Sequence, residues 1–304
     1  MTDQSHSSDR GESLSNALQG RVAVVAGATR GAGRGIAREL GAQGATVYCT
    51  GRSVAGRPAT GNRPETIEET AELVGEEGGI GIPVRVDHTV PEQVEALFAR
   101  ITVEQDGQLD ILVNDVWGGD ELTSWQTPFW KHDLAKGLLM QERAVHSHLI
   151  TSRYGAPLLV ARKAGLIVEI TDGYKPDYRG NLFYDLAKAS VIRLALGMSE
   201  ELRPHGVTAL AVTPGFLRSE AMLEGFGVTE ETWRDGIVKD RHFGGSETPH
   251  YVGRAVAALA ADPDVAKLAG RTMASWHLME RYGFTDRDGR QPHWENFTAE
   301  LYKD

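Results

Sequence analysis

The chain has 304 residues, 41% of them apolar and 24% charged, enough for one large buried core, and a net charge of -10. A dispersed acidic surplus argues against nucleic acid or an anionic membrane as partner, because both recruit basic surfaces. The single cysteine, Cys49, excludes an intrachain disulfide and fits a reducing, cytoplasmic compartment, and no apolar run approaches the roughly 20 residues of a membrane span.

The opening MTDQSHSSDRGESLSN lacks a signal-peptide pattern, and residues 1–18 read as a disordered tail. His6, Asp9 and Glu12 within it read as solvated side chains, and no metal site is expected anywhere in the chain. From Arg21 short β-branched runs alternate with longer amphipathic stretches. RVAVVAG reads as a strand, followed by a helix over 34–43, the strand ATVYCTG, a helix over 66–77 and the strand IPVRV. A helix over 91–104, the strand LDILVND, a long helical region over 133–162, the strand GLIVEIT, a helix carrying Tyr184 and the strand GVTALAVTPG continue the alternation. Near-continuous apolar strands joined by helices predict an α/β fold, a doubly wound parallel sheet of Rossmann type, in a single domain over 19–275. Residues 216–246 break the alternation and read as a lid or binding loop. After a last strand at 271–275, the extension 276–304 holds Trp276, Tyr282, Phe284, Trp294 and Phe297. So aromatic a tail is expected to pack on the domain or on a partner subunit.

VVAGATRGAGRGIA joins the first strand to the first helix and sets Gly27, Gly31 and Gly33 on the turn. Glycines there let the backbone approach a pyrophosphate, while free N–H groups and the helix dipole face the anion. The strand, turn, helix and following βαβ unit together predict a dinucleotide site. Where an acid would bind the 2'-hydroxyl of NAD, the chain has Arg52 and Ser53, and Arg30 lies within the turn. Two guanidinium groups there suit a 2'-phosphate and favour NADP(H). Further on, GNLFYDLAKASVIRLAL places Tyr184 and Lys188 one helical turn apart on one face. The cation can lower the phenol's pKa, which makes the pair a proton-transfer device, although the same spacing also arises in ordinary helix packing.

Taken together these segments resemble the short-chain dehydrogenase/reductase family over 19–275. AGATRGAG is similar to its cofactor turn, VDHT at Asp87 to its adenine-contacting acid, LVNDVWG at Asn114 to its Asn-Asn-Ala-Gly, and TPGFLRS, with Pro214, Gly215 and Ser219, to its turn beside the nicotinamide. TVYCTGRS, VEITDG and the insert after the fourth strand look most like the branch containing dehydrogenase/reductase member 1. The resemblance implies hydride transfer, with Tyr184 as acid or base and Lys188 binding the ribose. It also implies a homodimer or homotetramer built on the long helices around 133–162 and 182–203, through faces carrying Leu149, Leu158, Val191 and Leu194.

Two positions depart from the family pattern. GLIVEITDG puts Asp172 where the catalytic serine stands, with Thr171 beside it, and strand alternation favours Asp172 as the side chain in the pocket, Thr171 being the fallback. Burial and the nearby phenol are expected to keep Asp172 neutral, able to donate as a serine does. Its carboxyl also leaves open a non-redox enzyme of the same fold, such as a dehydratase or isomerase, or an NADP-binding sensor. The family's relay asparagine aligns near Ala144, and His146 and His148 beside it read as structural. Trp117, Trp125, Phe129 and Trp130 follow the fourth strand, and with Phe216 they suggest a bulky, partly apolar small-molecule substrate, a carbonyl compound or alcohol.

Overall fold

The apolar runs fold as strands β1 (Val22–Ala26), β2 (Thr46–Gly51), β3 (Ile80–Arg85), β4 (Ile111–Asn114), β5 (Gly165–Ile170), β6 (Val207–Thr213) and β7 (Thr272–Ala274) in the computed structural model, which describes residues 16–59 and 63–303. All pair in parallel, in the order β3-β2-β1-β4-β5-β6-β7. The order reverses direction between β1 and β4, the point where such sheets open a crevice beyond their carboxyl ends. Ala26 pairs with both Thr50 and Asn114, so three strand ends finish level at that crevice. Every residue of β1, β4 and β6 is buried, as strands covered on both faces must be. Pro83, which has no N–H for a ladder, lies on the edge strand β3.

The helices are α1 (Gly31–Ala42), α2 (Ile67–Glu76), α3 (Pro91–Glu104), α4 (Leu134–Gln141), α5 (Ser147–Arg162), α6 (Leu182–Leu202), α7 (Glu220–Phe226), α8 (Pro249–Ala261), α9 (Ser275–Tyr282) and α10 (Trp294–Leu301). Two apolar clusters fill the two faces of the sheet: one gathers Ile36, Leu40, Val252 and Val256 from α1 and α8, the other Val94, Phe98, Ile101 and Leu159 from α3 and α5. Several boundaries differ from the sequence reading. The long helical region is two helices joined by a π-helical turn over Glu142–His146, a local widening that periodicity does not reveal. The insert at 216–246 folds α7 and two short 3-10 turns of its own. Residues 1–15 of the expected tail lie outside the described residues, whereas Leu18, also assigned to it, is 1% exposed within the core.

Helices α1 and α8 meet backbone to backbone. A Cβ on Gly35 would lie 2.1 Å from the Pro249 carbonyl oxygen, and one on Gly253 would lie 2.6 Å from the oxygen of Gly35. Such contacts cannot be relieved by turning a side chain, so Gly35→Ala should lower the free energy of unfolding by about 1–3 kcal/mol despite alanine's higher helix propensity. Urea unfolding of the variant checks this, and an unchanged midpoint would contradict it.

Candidate active site

The turn between β1 and α1 is built on close approach. Gly27, at φ +94, has the Asp115 carbonyl oxygen 2.6 Å from where its Cβ would be, and a Cβ on Gly33 would lie 2.3 Å from the Gly27 oxygen and 2.9 Å from Asp115 Oδ2. Only bare backbone fits, and the first N–H groups of α1 are left facing the cleft. Two are engaged within the protein: Gly31 N donates to Glu220 Oε2 of α7 at 2.8 Å, and Gly33 N donates to the Asp115 carboxyl. A carboxylate oxygen thus takes the place that the turn offers to an anion.

At the end of β2, Arg30 Nη2 reaches Ser53 Oγ at 3.5 Å and its Nε lies 3.5 Å from Glu65 Oε2. That Nε is buried and makes no hydrogen bond among the described residues. Arg52 Nη1 lies 3.7 Å from Asp87 Oδ2, which brings the expected phosphate-binding and adenine-contacting residues together.

Helix α6 starts where Asn181 caps it, Oδ1 accepting from the amides of Phe183 (3.0 Å) and Tyr184 (3.1 Å), while its Nδ2 donates to the Ser124 carbonyl at 2.9 Å. The cap therefore fixes Tyr184 against the insert after β4. Tyr184 Oη donates to Asp172 Oδ2 at 2.7 Å, and its ring lies 5.2 Å from Trp117 and 4.9 Å from Trp125. Lys188 Nζ sits 4.2 Å over the Trp117 ring and 5.6 Å from the Tyr184 ring. Both candidates at the serine position border the cleft: Asp172 lies beside the phenol, while Thr171, 2% exposed, has its hydroxyl committed to the Lys188 carbonyl at 2.9 Å and ties α6 to β5.

The phenol does not behave as the Tyr-Lys spacing suggests. Burial, then the Asp172 charge and its hydrogen bond, push the Tyr184 pKa far up, with Arg179 opposing. Burial lowers Lys188 while Asp172, Asp115 and Asp120 pull the other way. The expected burial of Asp172 is corrected too: its side chain is 42% exposed and lies 3.8 Å from Arg179 Nη1.

Arg30, Arg52, Asp87, Asp172, Tyr184 and Lys188 all border one cleft of about 960 Å³. Among the expected site residues, Gly33, Asn114, Phe129 and Trp130 do not line it. Gly33 packs under the turn, and Asn114, fully buried, donates to Glu169 Oε1 at 2.6 Å and Ser152 Oγ at 2.9 Å. Glu169 Oε2 is 2.6 Å from His148 Nδ1, and His148 Nε2 is 3.0 Å from the Val116 carbonyl, so its Nε2–H must donate there. His148 therefore braces the backbone leading into Trp117, and Ala144, 2% exposed within the π turn, carries no polar side chain toward the cleft. Phe129 and Trp130, 55% and 70% exposed, stack on each other away from the cleft.

The sequence reading missed several walls of the cleft, among them Glu220, Arg179, Trp294, Glu295 and Thr298. The last three come from α10, which Lys175 holds through a 2.6 Å bond to Glu295 Oε1. Phe216 meets Trp294 at 5.8 Å, so the C-terminal extension closes the aromatic side of the cleft. Behind it Glu247, 1% exposed, accepts from Gly215 N at 2.9 Å and Ser275 Oγ at 2.7 Å, its other oxygen having no partner among the described residues.

Comparison with known proteins places this architecture in context. The sequence pattern of the short chain dehydrogenase family matches residues 21–226. Dehydrogenase/reductase SDR family member 1 of Mus musculus is 36% identical over 277 residues, covering 90% of this chain and 85% of the relative. A short chain dehydrogenase from Mycobacterium thermoresistibile has the same fold, with a TM-score of 0.75 at 23% identity over 91% of this chain and 92% of its own. So has a Beutenbergia cavernae protein described as an NAD(P)-dependent gluconate 5-dehydrogenase with NADP bound at low occupancy, at a TM-score of 0.66 and 21% identity over 85% and 96% of the two chains.

Burial pushes the Glu247 carboxyl up to about 8 and that of Asp115 up to about 7, the latter against the pull of Lys188 and His148. A carboxyl that holds its proton more tightly when folded contributes stability that is complete below its unfolded pKa and is lost as pH rises through the folded one. Stability should therefore fall from about pH 5 to pH 8, and Glu247→Gln, which cannot ionise, should flatten that fall. Urea midpoints across this range measure the slope, and a variant with the wild-type slope would sink the assignment.

Proposed function

The chain belongs to the short-chain dehydrogenase/reductase family, and on that premise we propose that it is an NADP(H)-dependent oxidoreductase interconverting a carbonyl and an alcohol on a bulky, partly apolar substrate. The observation that carries this reading is the meeting of the glycine turn and the Tyr184, Asp172 and Lys188 group in one cleft. The Gly31 N–H at the start of α1, on a turn whose Gly27 and Gly33 admit no Cβ, fits a pyrophosphate. In this reading Gly31 N–H and Ser219 hold the phosphates, Arg30, Arg52 and Ser53 the 2'-phosphate, Asp87 the adenine, Lys188 the ribose, and Pro214 and Gly215 border the nicotinamide. The NADP bound to the Beutenbergia cavernae protein accords with it. When bound, the nicotinamide supplies or accepts the hydride.

Tyr184 moves the proton. Its raised pKa keeps the phenol protonated at neutral pH, which suits a general acid giving its proton to the oxygen of a carbonyl under reduction. Asp172, hydrogen-bonded to that phenol and open to water, lies where a proton from solvent can replace the one donated. Trp117, Trp125 and Phe216 give the substrate apolar walls.

We further propose a homo-oligomer that covers Leu134, Leu138, Leu149, Leu182 and Leu186, which are 39–63% exposed along α4, α5 and α6. Of the other expected face residues, Val191 is buried, while Leu158 and Leu194 are partly buried. The lone buried Cys49 suits a reducing cytoplasm. Among the described residues no helix is long and apolar enough to cross a membrane.

Reduction of a panel of aromatic and aliphatic ketones, followed by loss of NADPH absorbance, tests the reading directly. NADPH should bind at least about tenfold tighter than NADH, about 1.4 kcal/mol, and Arg52→Asp should erase or reverse the ratio. Equal affinities in fluorescence titration would remove the NADP assignment. Glu220→Ala frees Gly31 N–H from its internal acceptor and should tighten NADPH binding by roughly five- to tenfold in the same titration. Weaker binding in that variant would show that Glu220 supports the cofactor instead of yielding to it.

A further inference from the structure

Asp172 leaves a gap in the chemistry. As a carboxylate it accepts and cannot donate, with Oδ2 taken by Tyr184 and Oδ1 facing Arg179 at 3.8 Å. A second donor to the substrate's carbonyl oxygen, where negative charge grows during reduction, must come from elsewhere, and the Asp172 charge alone would oppose that growth.

Three observations single out Arg179. Its guanidinium lines the cleft, on the same carboxylate that receives the Tyr184 proton donor. It makes no side-chain hydrogen bond among the described residues, because only its backbone N–H is engaged, to Asp185 Oδ1 at 2.9 Å, so its N–H donors are available. Finally, it lies on the bare backbone of Gly173: at φ +89, a Cβ there would be 1.6 Å from Arg179 Nη2. The glycine after Asp172 is thus required both by its backbone angle and by the guanidinium seated on it. Lys188, the other nearby cation, is held over Trp117.

We propose that Arg179, positioned by Asp172 and Gly173, donates hydrogen bonds to the substrate's carbonyl oxygen, the task of the hydroxyl that position 172 lacks. The proton itself still comes from Tyr184. Arg179 then stabilises the oxygen's developing charge, and Asp172 is the positioning residue for both donors. This rests on the functional reading above and deepens it: the substrate needs only a neutral carbonyl at this point, with no acidic group for Arg179 to bind.

The test uses the full-length enzyme and an uncharged aromatic ketone that the wild type reduces. Arg179→Ala should lower kcat roughly a hundredfold, with KM changing much less and NADPH affinity in fluorescence titration unchanged. Added guanidinium ion should restore part of the rate to Arg179→Ala, and Arg179→Lys should retain more than alanine does. The double variant Asp172→Ser with Arg179→Ala should recover much of the loss, since the serine hydroxyl supplies a donor. Wild-type rates in Arg179→Ala would overturn the proposal. So would a loss confined to KM and seen only with carboxylate-bearing ketones, which would make Arg179 an anion-binding residue. A wild type that oxidises NADPH with no carbonyl compound would bring down the functional reading itself, a result distinct from either.

Discussion

The molecule is organised by a steric constraint: at the head of β1 the main chain of one element must touch the main chain of another. Gly27 brings the glycine turn against the backbone after β4, Gly33 packs on Gly27 and on the Asp115 side chain, and Gly35 and Gly253 bring α1 against α8. Because no side chains intervene, the amino end of α1 is fixed relative to β4 to within the tolerance of backbone contact. Everything that converges on the cleft inherits that precision: the N–H groups at the start of α1, the Asp115 side chain wedged under Gly33, and the Trp117 segment braced from below by His148 and Glu169.

On this frame the cleft is electrostatically crowded. Asp115, Asp120, Asp172 and Glu220 border it with Lys188, Arg30, Arg52 and Arg179. The acids have different environments and hence different duties. Asp115 is starved of water and held toward its protonated form, while Asp172 is open to solvent and faces a guanidinium. Glu220 is the odd member, a carboxylate resting on the anion site, so that α7 and the glycine turn complete each other until a phosphate competes. The acid at the position of the family's serine has its charge met by Arg179, and burial together with that charge holds the Tyr184 pKa up.

The C-terminal extension belongs to the same economy of contacts. It walls the cleft through side-chain contacts: Trp294 meets Phe216, Phe297 sits on Gly245, and Glu295 reaches across to Lys175 in the loop after β5. Arg218, wholly buried, bonds Glu230 and the Ser246 carbonyl and stacks on Trp233, which fastens the insert after β6 from inside. The Phe216 and Trp294 side of the cleft is therefore built from chain outside the helix that carries Tyr184 and Lys188.

The sequence by itself determined the sheet, its parallel sense, the glycine turn, and the Tyr184 and Lys188 pair, because each rests on local spacing: period two in strands, 3.6 in helices, glycines where backbone must approach. It also favoured Asp172 over Thr171 as the side chain at the cleft, since alternation along β5 is a local rule. Asn114 shows the limit: its place at the end of β4 was legible, but not that its amide would turn inward to Glu169 and Ser152. Only tertiary structure decided the protonation of Tyr184, the exposure of Asp172, and the arrival of Glu220, Arg179 and Trp294 at the cleft. These depend on dielectric surroundings and on partners distant in the chain, such as the 189 positions between Gly31 and Glu220. No periodicity carries information about which charge will lie opposite which, because the sheet order and the loops between its strands set that distance.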